Sequence, residues 1–293
     1  MIIANPRNPR GIVWIASYPK SGNTWMRIFL YHLVRITEGL PRADNDLQAL
    51  DRVSGYEARL FSLFTEVLGK PLEEATLDEV MGVRIKVQAE IASRAPGLAI
   101  LKTHNLLGFF KKQPIINLKV SAGTIYIVRD PRDVVISLAD HQGCTIDQAI
   151  GIMNRSAFTS VNDDQGAYEM WGSWSEHVTS WTMAPHEAVI VVRYEDMLAD
   201  PIKEFSAVAR HMRQTPTPEQ LEEAVNLSTF RELSEQEAQG GFRERSERAE
   251  KFFRVGKSGQ WKDTLTPIQV RKLEQAHAER MKFFGYDLEY VTA

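Results

Sequence analysis

Residues 12–16 form a short apolar run, Ile-Val-Trp-Ile-Ala, and beyond Thr24 the residues Met26, Ile28, Phe29 and Leu33 bring apolar side chains back at helical spacing. A buried strand therefore passes into a helix through Ser17, Tyr18, Pro19, Lys20, Ser21, Gly22 and Asn23. This connection carries one cation, small hydroxyls and a glycine that lets backbone N–H groups approach a ligand closely. The helix N-terminus behind it offers unpaired donors and the positive end of the macrodipole, which together bind an anion. The unit points to an α/β fold with a phosphate or sulfate site. It is not the Walker A loop of ordinary ATPases and GTPases, because Pro19 stands where that loop needs glycine before its lysine.

Three further apolar runs, residues 98–101, 124–128 and 189–192, are separated by stretches of helical period. The pattern predicts a mainly parallel central sheet flanked by helices on both faces. Ligands of such sheets bind beyond the carboxyl ends of the strands. Here those ends carry Lys20, then Lys102 and His104, then Arg129, then Tyr194. Lys102 and His104, two apart on extended chain, point to one side, and histidine is the usual neutral-pH base. Arg129 supplies a rigid donor fork for an anion. Taken singly, each has a plainer reading: a strand-to-helix turn with a surface lysine, a structural histidine, an Arg129 ion pair with Asp130 or Asp133. Pro131 and Asp133 suit the start of a helix, and Arg132 is expected at the surface or in a structural ion pair.

The chain of 293 residues shows no linker and is expected to form a single domain, 1–293. A net charge of −3 gives no global attraction for nucleic acid or anionic lipid, so a polyanion must be held by a local cluster. The single cysteine, Cys144, excludes an internal disulfide and a cysteine-based zinc site. No stretch approaches the roughly 20 apolar residues that span a bilayer, and no apolar leader opens the chain, so a cytoplasmic location and no membrane partner are expected. Residues 40–97 read as a helical insertion, which walls a pocket or, equally well, is structural padding. Residues 141–185 read as helical, with Trp171, Trp174, Val178 and Trp181 forming a core stripe, and residues 218–228 as another helix. Residues 235–251 are charged and include Gly240-Gly241, which predicts a mobile lid.

The order Tyr18-Pro19-Lys20-Ser21-Gly22-Asn23-Thr24-Trp25 resembles the 5′-phosphosulfate loop of sulfotransferases that use 3′-phosphoadenosine 5′-phosphosulfate, PAPS. Lys102-Thr103-His104 resembles the K-x-H of that family. The stretch GSWSEHVTSW with VIVVRYEDM, and residues 252–262 against R-K-G-x-x-G-x-W-K, are similar to its later segments. In family order these span residues 12–262, and the chain resembles the soluble cytosolic type with its P-loop-like nucleotide-binding fold. The resemblance implies Lys20 on the bridging oxygen, Ser21, Gly22, Asn23 and Thr24 around the 5′-phosphate, and Trp25 on adenine. It implies Arg129 and Ser137 on the 3′-phosphate, and Tyr194, Ser228, Phe230 and Leu233 around adenine. Arg254, Val255 and Gly256 would close over the 3′-phosphate from a lid and loop at 235–262, with Val255 replacing a basic residue.

The implied reaction is in-line transfer of the sulfuryl group from PAPS, the co-substrate, to a small-molecule acceptor, leaving 3′-phosphoadenosine 5′-phosphate, PAP. The acceptor atom is a hydroxyl oxygen or, in second place, an amine nitrogen; His104 takes its proton while Lys20 and Lys102 stabilise developing charge. No carboxylate cluster suggests magnesium, so no metal is expected. A P-loop-like small-molecule kinase and a catalytically inactive nucleotide-binding protein are the alternatives. His141, Phe109, Phe110 and Phe158 are acceptor-pocket candidates by proximity to the motifs. The family's dimerisation pattern is kept at Lys262 and Thr266 but not at Pro267 and Arg271, which leaves the oligomeric state open.

Overall fold

The computed structural model describes residues 11–43, 45–161, 166–242, 244–245, 251–253 and 255–291. Strand β1 (Gly11–Ser17) leads to helix α1 (Asn23–Thr37), then α2 (Asp46–Ala49), β2 (Ser54–Tyr56), α3 (Phe61–Leu68) and α4 (Leu77–Arg94). β3 (Leu98–Thr103) precedes a small hairpin, β4 (Phe109–Phe110) and β5 (Gln113–Pro114), and then β6 (Ser121–Val128). Next come α5 (Pro131–Gln142), α6 (Ile146–Asn154), α7 (Trp174–Thr182), β7 (Val189–Arg193), α8 (Tyr194–Ala199), α9 (Pro201–His211), α10 (Pro218–Leu227) and α11 (Phe230–Gly240). The chain closes with α12 (Trp261–Thr264) and α13 (Pro267–Phe283).

The main sheet is parallel and has the order β2-β3-β1-β6-β7. All seven residues of β1 are buried, and its alternation serves two cores. Trp14 and Ala16 meet α5, α6, α7 and α13 through residues such as Val134, Met153, Trp174 and Leu273. Val13 and Ile15 meet α1, α9 and α10 through Phe29, Phe205 and Ala224. A strand covered on both faces needs apolar side chains at every position, hence a continuous run rather than alternation. Chain order reverses around β1, whose neighbours are β3 and β6, and the crevice between their carboxyl ends is where such sheets bind ligands.

Helix ends are written in the sequence. Thr76, Thr145, Ser173, Thr217 and Thr266 each form a reciprocal capping box with the Glu or Gln three residues on. Asp130 caps α5 ahead of Pro131, and Arg132 is no surface residue: it is buried in ion pairs to Asp130 at 2.7 Å and Glu274 at 3.0 Å.

Three expectations require correction. The sheet has a fifth strand, β2, inside the supposed helical insertion; three residues, Ser-Gly-Tyr, make too short a run to show periodicity. Residues 155–161 and 166–173 are not helical, and a bridge between Thr159 and Met170 pairs the two stretches, so Trp171 lies ahead of α7 rather than on its stripe. The charged stretch begins as helix, because α11 continues to Gly240, and Glu244 beyond it is buried. Leu233 and Glu237 anchor that helix, Glu237 accepting the Phe252 and Phe253 N–H groups at 2.7 and 2.9 Å.

Candidate active site

One cavity of about 780 Å³ opens at the carboxyl ends of β1, β3 and β6. It is lined by Lys20, Gly22, Asn23, Thr24, Trp25, Lys102, His104, Arg129, Ser137, Tyr194, Phe230, Leu233, Val255 and Gly256, so residues spread over the whole sequence share one space. Ser21 and Ser228 do not line it. Both are fully buried; the Ser228 hydroxyl donates to the Val225 carbonyl at 2.9 Å, and the Ser21 hydroxyl has no partner among the described residues. Arg254 lies outside the described residues.

The loop after β1 is held in an uncommon shape. Lys20 has φ +68 although it bears a side chain, and Gly22 has φ +106 with the Tyr194 ring so close that an added Cβ would sit 2.7 Å from it. Asn23 turns its side chain backward, donating to the Ile15 carbonyl at 2.7 Å, and so ties α1 to β1 while its backbone stays at the helix N-terminus. The Lys20 ammonium lies 4.3 Å over the Phe252 ring. Removal from water, reinforced by the charge of Lys102, pushes its pKa down to about 8.

His104 is held at three points. Its N–H donates to Glu169 at 2.8 Å, its carbonyl accepts from His177 Nε2 at 3.1 Å, and its ring Nδ1 is 2.8 Å from the Ser17 carbonyl. A carbonyl oxygen only accepts, so Nδ1 carries the proton and Nε2 holds the lone pair. Burial, with Lys102 adding to it, keeps the imidazole well below its ordinary pKa and hence neutral. Lys102 bonds Glu244 at 3.0 Å, and its ammonium lies 4.1 Å over the Tyr56 ring. Burial lowers its pKa, with Glu244 opposing.

Arg129 makes no ion pair with Asp130 or Asp133. It donates to the Lys20 carbonyl and to the Lys257 carbonyl, each at 3.1 Å, and lies 4.2 Å over the Tyr194 ring, with its Nε unpartnered among the described residues. It therefore stitches the loop after β1 to the loop before α12. Asp133, assigned by sequence to helix-end electrostatics, fixes that second loop by accepting the Gly259 N–H at 2.6 Å and the Trp261 N–H at 3.1 Å. Gly256, at φ +63, leaves room for Phe230, whose ring would be 2.2 Å from a Cβ there.

The other half of the cavity is bordered by Tyr56, His141, Arg155, Phe158, Glu169, Trp171 and Glu244. Of the acceptor-pocket candidates, His141 and Phe158 are present; Phe109 and Phe110 belong to the β4–β5 hairpin, away from the cavity, and Phe109 is 68% exposed. Burial, then Lys20, pushes His141 down to about 3. Sequence reasoning missed Tyr56, Glu169 and Glu244, which no motif surrounds, and took Trp171 for core alone. Glu244 is 5% exposed, and although burial opposes ionisation, its ion pairs with Arg27 and Lys102 hold its pKa well down.

Among the described residues, no group of three or more His, Cys, Asp or Glu is placed to hold a metal ion, and no helix is long and apolar enough to cross a membrane. Of the cations lining the cavity, Lys20, Lys102 and Arg129 share it with the start of α1, an arrangement suited to an extended polyanion.

Known proteins resemble the chain over most of its length. Sulfotransferase 1A1 of Rattus norvegicus is 26% identical over 273 residues, covering 91% of this chain and 83% of that protein. Cytosolic sulfotransferase 17 of Arabidopsis thaliana is 24% identical over 289 residues, 93% of this chain and 75% of that protein. The crystal structure of mouse sulfotransferase SULT7A1 complexed with PAP matches with a TM-score of 0.59 at 19% identity, covering 93% of this chain and 84% of that one. Retinol dehydratase, in complex with androsterone and PAP, matches with a TM-score of 0.62 at 20% identity, covering 99% and 85%. The fold is thus that of these enzymes. The sulfotransferase domain family matches residues 10–285, and the chain belongs to the sulfotransferase family.

Proposed function

We propose that this sulfotransferase moves the sulfuryl group of PAPS to the hydroxyl of a small-molecule acceptor by in-line displacement, with His104 as general base. The observation that carries the proposal is the convergence of Lys20, Lys102, His104 and Arg129 on one cavity, with His104 Nδ1 already committed to the Ser17 carbonyl. The fit to the nucleotide rests on the unpaired N–H groups at the start of α1, the close approach allowed by Gly22, and the partnerless Nε of the buried Arg129. In the bound state the amides of residues 21–24 would hold the 5′-phosphate, Trp25, Tyr194 and Phe230 the adenine, and Arg129 with Ser137 and Gly256 the 3′-phosphate.

His104 Nε2, carrying the lone pair, takes the acceptor's proton as oxygen attacks sulfur. The S–O bond to the 5′-phosphate breaks, the sulfuryl group passes to the acceptor, and PAP leaves with the electron pair of the broken bond. Lys20 and Lys102 stabilise the charge growing on the leaving oxygen and on the sulfuryl oxygens, a task of the kind worth about 3 kcal/mol per donor. Such a step uses charges already fixed in place.

The reading is tested by thermal shift. PAP at about 100 times its Kd should raise Tm by about 5 °C, whereas ATP with magnesium should give a much smaller rise. Arg129→Ala should weaken PAP binding far more than 5′-AMP binding; equal weakening of both would remove the 3′-phosphate assignment, and a preference for ATP with magnesium would favour a kinase.

A further inference from the structure

Lys102 and His104 are linked by a carboxylate that neither motif contains. Glu169, 2% exposed, belongs to the irregular stretch ahead of α7, where its N–H donates to the Ser160 hydroxyl at 2.9 Å and its carbonyl accepts from the Ser160 N–H at 2.8 Å. One carboxylate oxygen accepts the His104 N–H at 2.8 Å; the other accepts the Tyr56 O–H at 2.6 Å, a short charge-assisted bond. Tyr56 is the register partner of Lys102 on the neighbouring strand, so the two side chains stand side by side at the sheet's carboxyl edge. The Lys102 ammonium sits 4.1 Å over the Tyr56 ring, and the His104 ring meets that ring edge-on at 5.9 Å. A phenol donating to a carboxylate has the more electron-rich ring, which strengthens the seat for a cation. Among the described residues Glu169 has no ion-pair partner; two neutral donors satisfy its charge.

We infer that Glu169 is a positioning residue for sulfuryl transfer: through the Tyr56 hydroxyl it fixes the ring on which Lys102 rests, and through the His104 amide it fixes the backbone from which the imidazole reaches the acceptor. Both oxygens are engaged, so it acts through Tyr56 and His104 rather than on the reacting atoms. The inference rests on the transfer reading above and adds a residue that the motifs do not name.

The groups facing Lys102 are Glu244 beyond α11, Arg27 on α1, Glu169 and Tyr56, with Lys20, His104 and His141 across the cavity. Burial and Arg27 disfavour the ammonium, while Glu244 and Glu169 favour it. Burial pushes the Glu169 carboxyl up, with the Tyr56 and His104 bonds opposing, and its charge favours the Lys102 ammonium; removing that charge should therefore make Lys102 lose its proton at lower pH.

Glu169→Gln keeps the side-chain volume and removes the charge. With PAPS and a panel of 2-naphthol, 4-nitrophenol, a sterol and 2-phenylethylamine, the variant should lose at least about tenfold in kcat while PAP affinity stays within about twofold. The alkaline limb of its kcat profile should move to lower pH. Tyr56→Phe, which keeps the ring, should lose less, and the double variant should lose less than the product of the two single losses, because both act on one seat. An unchanged kcat and alkaline limb in Glu169→Gln would overturn the inference, as would losses that simply multiply. If Glu169→Gln does not fold, Tyr56→Phe decides alone: wild-type kcat and pH profile there would overturn it. Wild-type protein that transfers sulfate to none of the panel would sink the transfer reading and this inference with it; an active wild type beside unaffected variants sinks the inference alone.

Discussion

At the scale of single residues, the site depends on holding ionisable groups in states they would not keep in water. Burial leaves His104 neutral, and Lys20 titrates at about 8, so the competent free enzyme has an uncharged imidazole and a charged lysine. The sign of the pH dependence follows. Lowering the pH to about 6 should not protonate His104, whereas raising it through about 8 should strip the proton from Lys20 and weaken its hold on the donor. kcat/KM for PAPS should therefore be flat between about pH 6 and 7.5 and fall toward tenfold per unit above about 8. A profile that instead rises through pH 8 would mean that a group must lose its proton there, contrary to the state assigned to Lys20.

Elements bring these residues together through contacts of different legibility. The strand ends bearing Lys20, Lys102, His104 and Arg129 could be read because apolar runs announce buried parallel strands, and the residue after such a strand is placed by topology. β2 could not, since three residues carry no period, and with it Tyr56 went unseen. Glu169 and Glu244 were hidden for another reason: each reaches the site from an irregular stretch whose path is set by tertiary contacts such as the Thr159–Met170 bridge and the Glu244 pair with Arg27. The loop before α12 was recognisable by resemblance, yet its attachment through Asp133 and Arg129 was not. That attachment makes a prediction at this scale. Gly256→Ala forces a Cβ to within 2.2 Å of Phe230 at a φ of +63, so the loop must shift, and PAP should bind about tenfold or more weakly. Calorimetry with PAP measures it; unchanged affinity would show that the loop contributes nothing to the nucleotide.

On the scale of the whole molecule, a parallel sheet whose strand order reverses around β1 makes one crevice, and the cations lining it suit it to a polyanion. The cavity is also lined by Tyr56, Phe158 and Trp171, space that the proposed reaction would give to its acceptor. Under that proposal His104 serves the chemistry and not the nucleotide, so its loss should stop transfer while nucleotide binding survives. Single-turnover transfer of labelled sulfate from PAPS, compared between wild type and His104→Ala with PAP affinity measured on the same samples, tests this most directly. Expected are transfer by the wild type, a loss of at least about a thousandfold in the variant, and PAP affinity within about twofold; a His104→Ala protein that transfers sulfate at the wild-type rate would remove His104 from the chemistry.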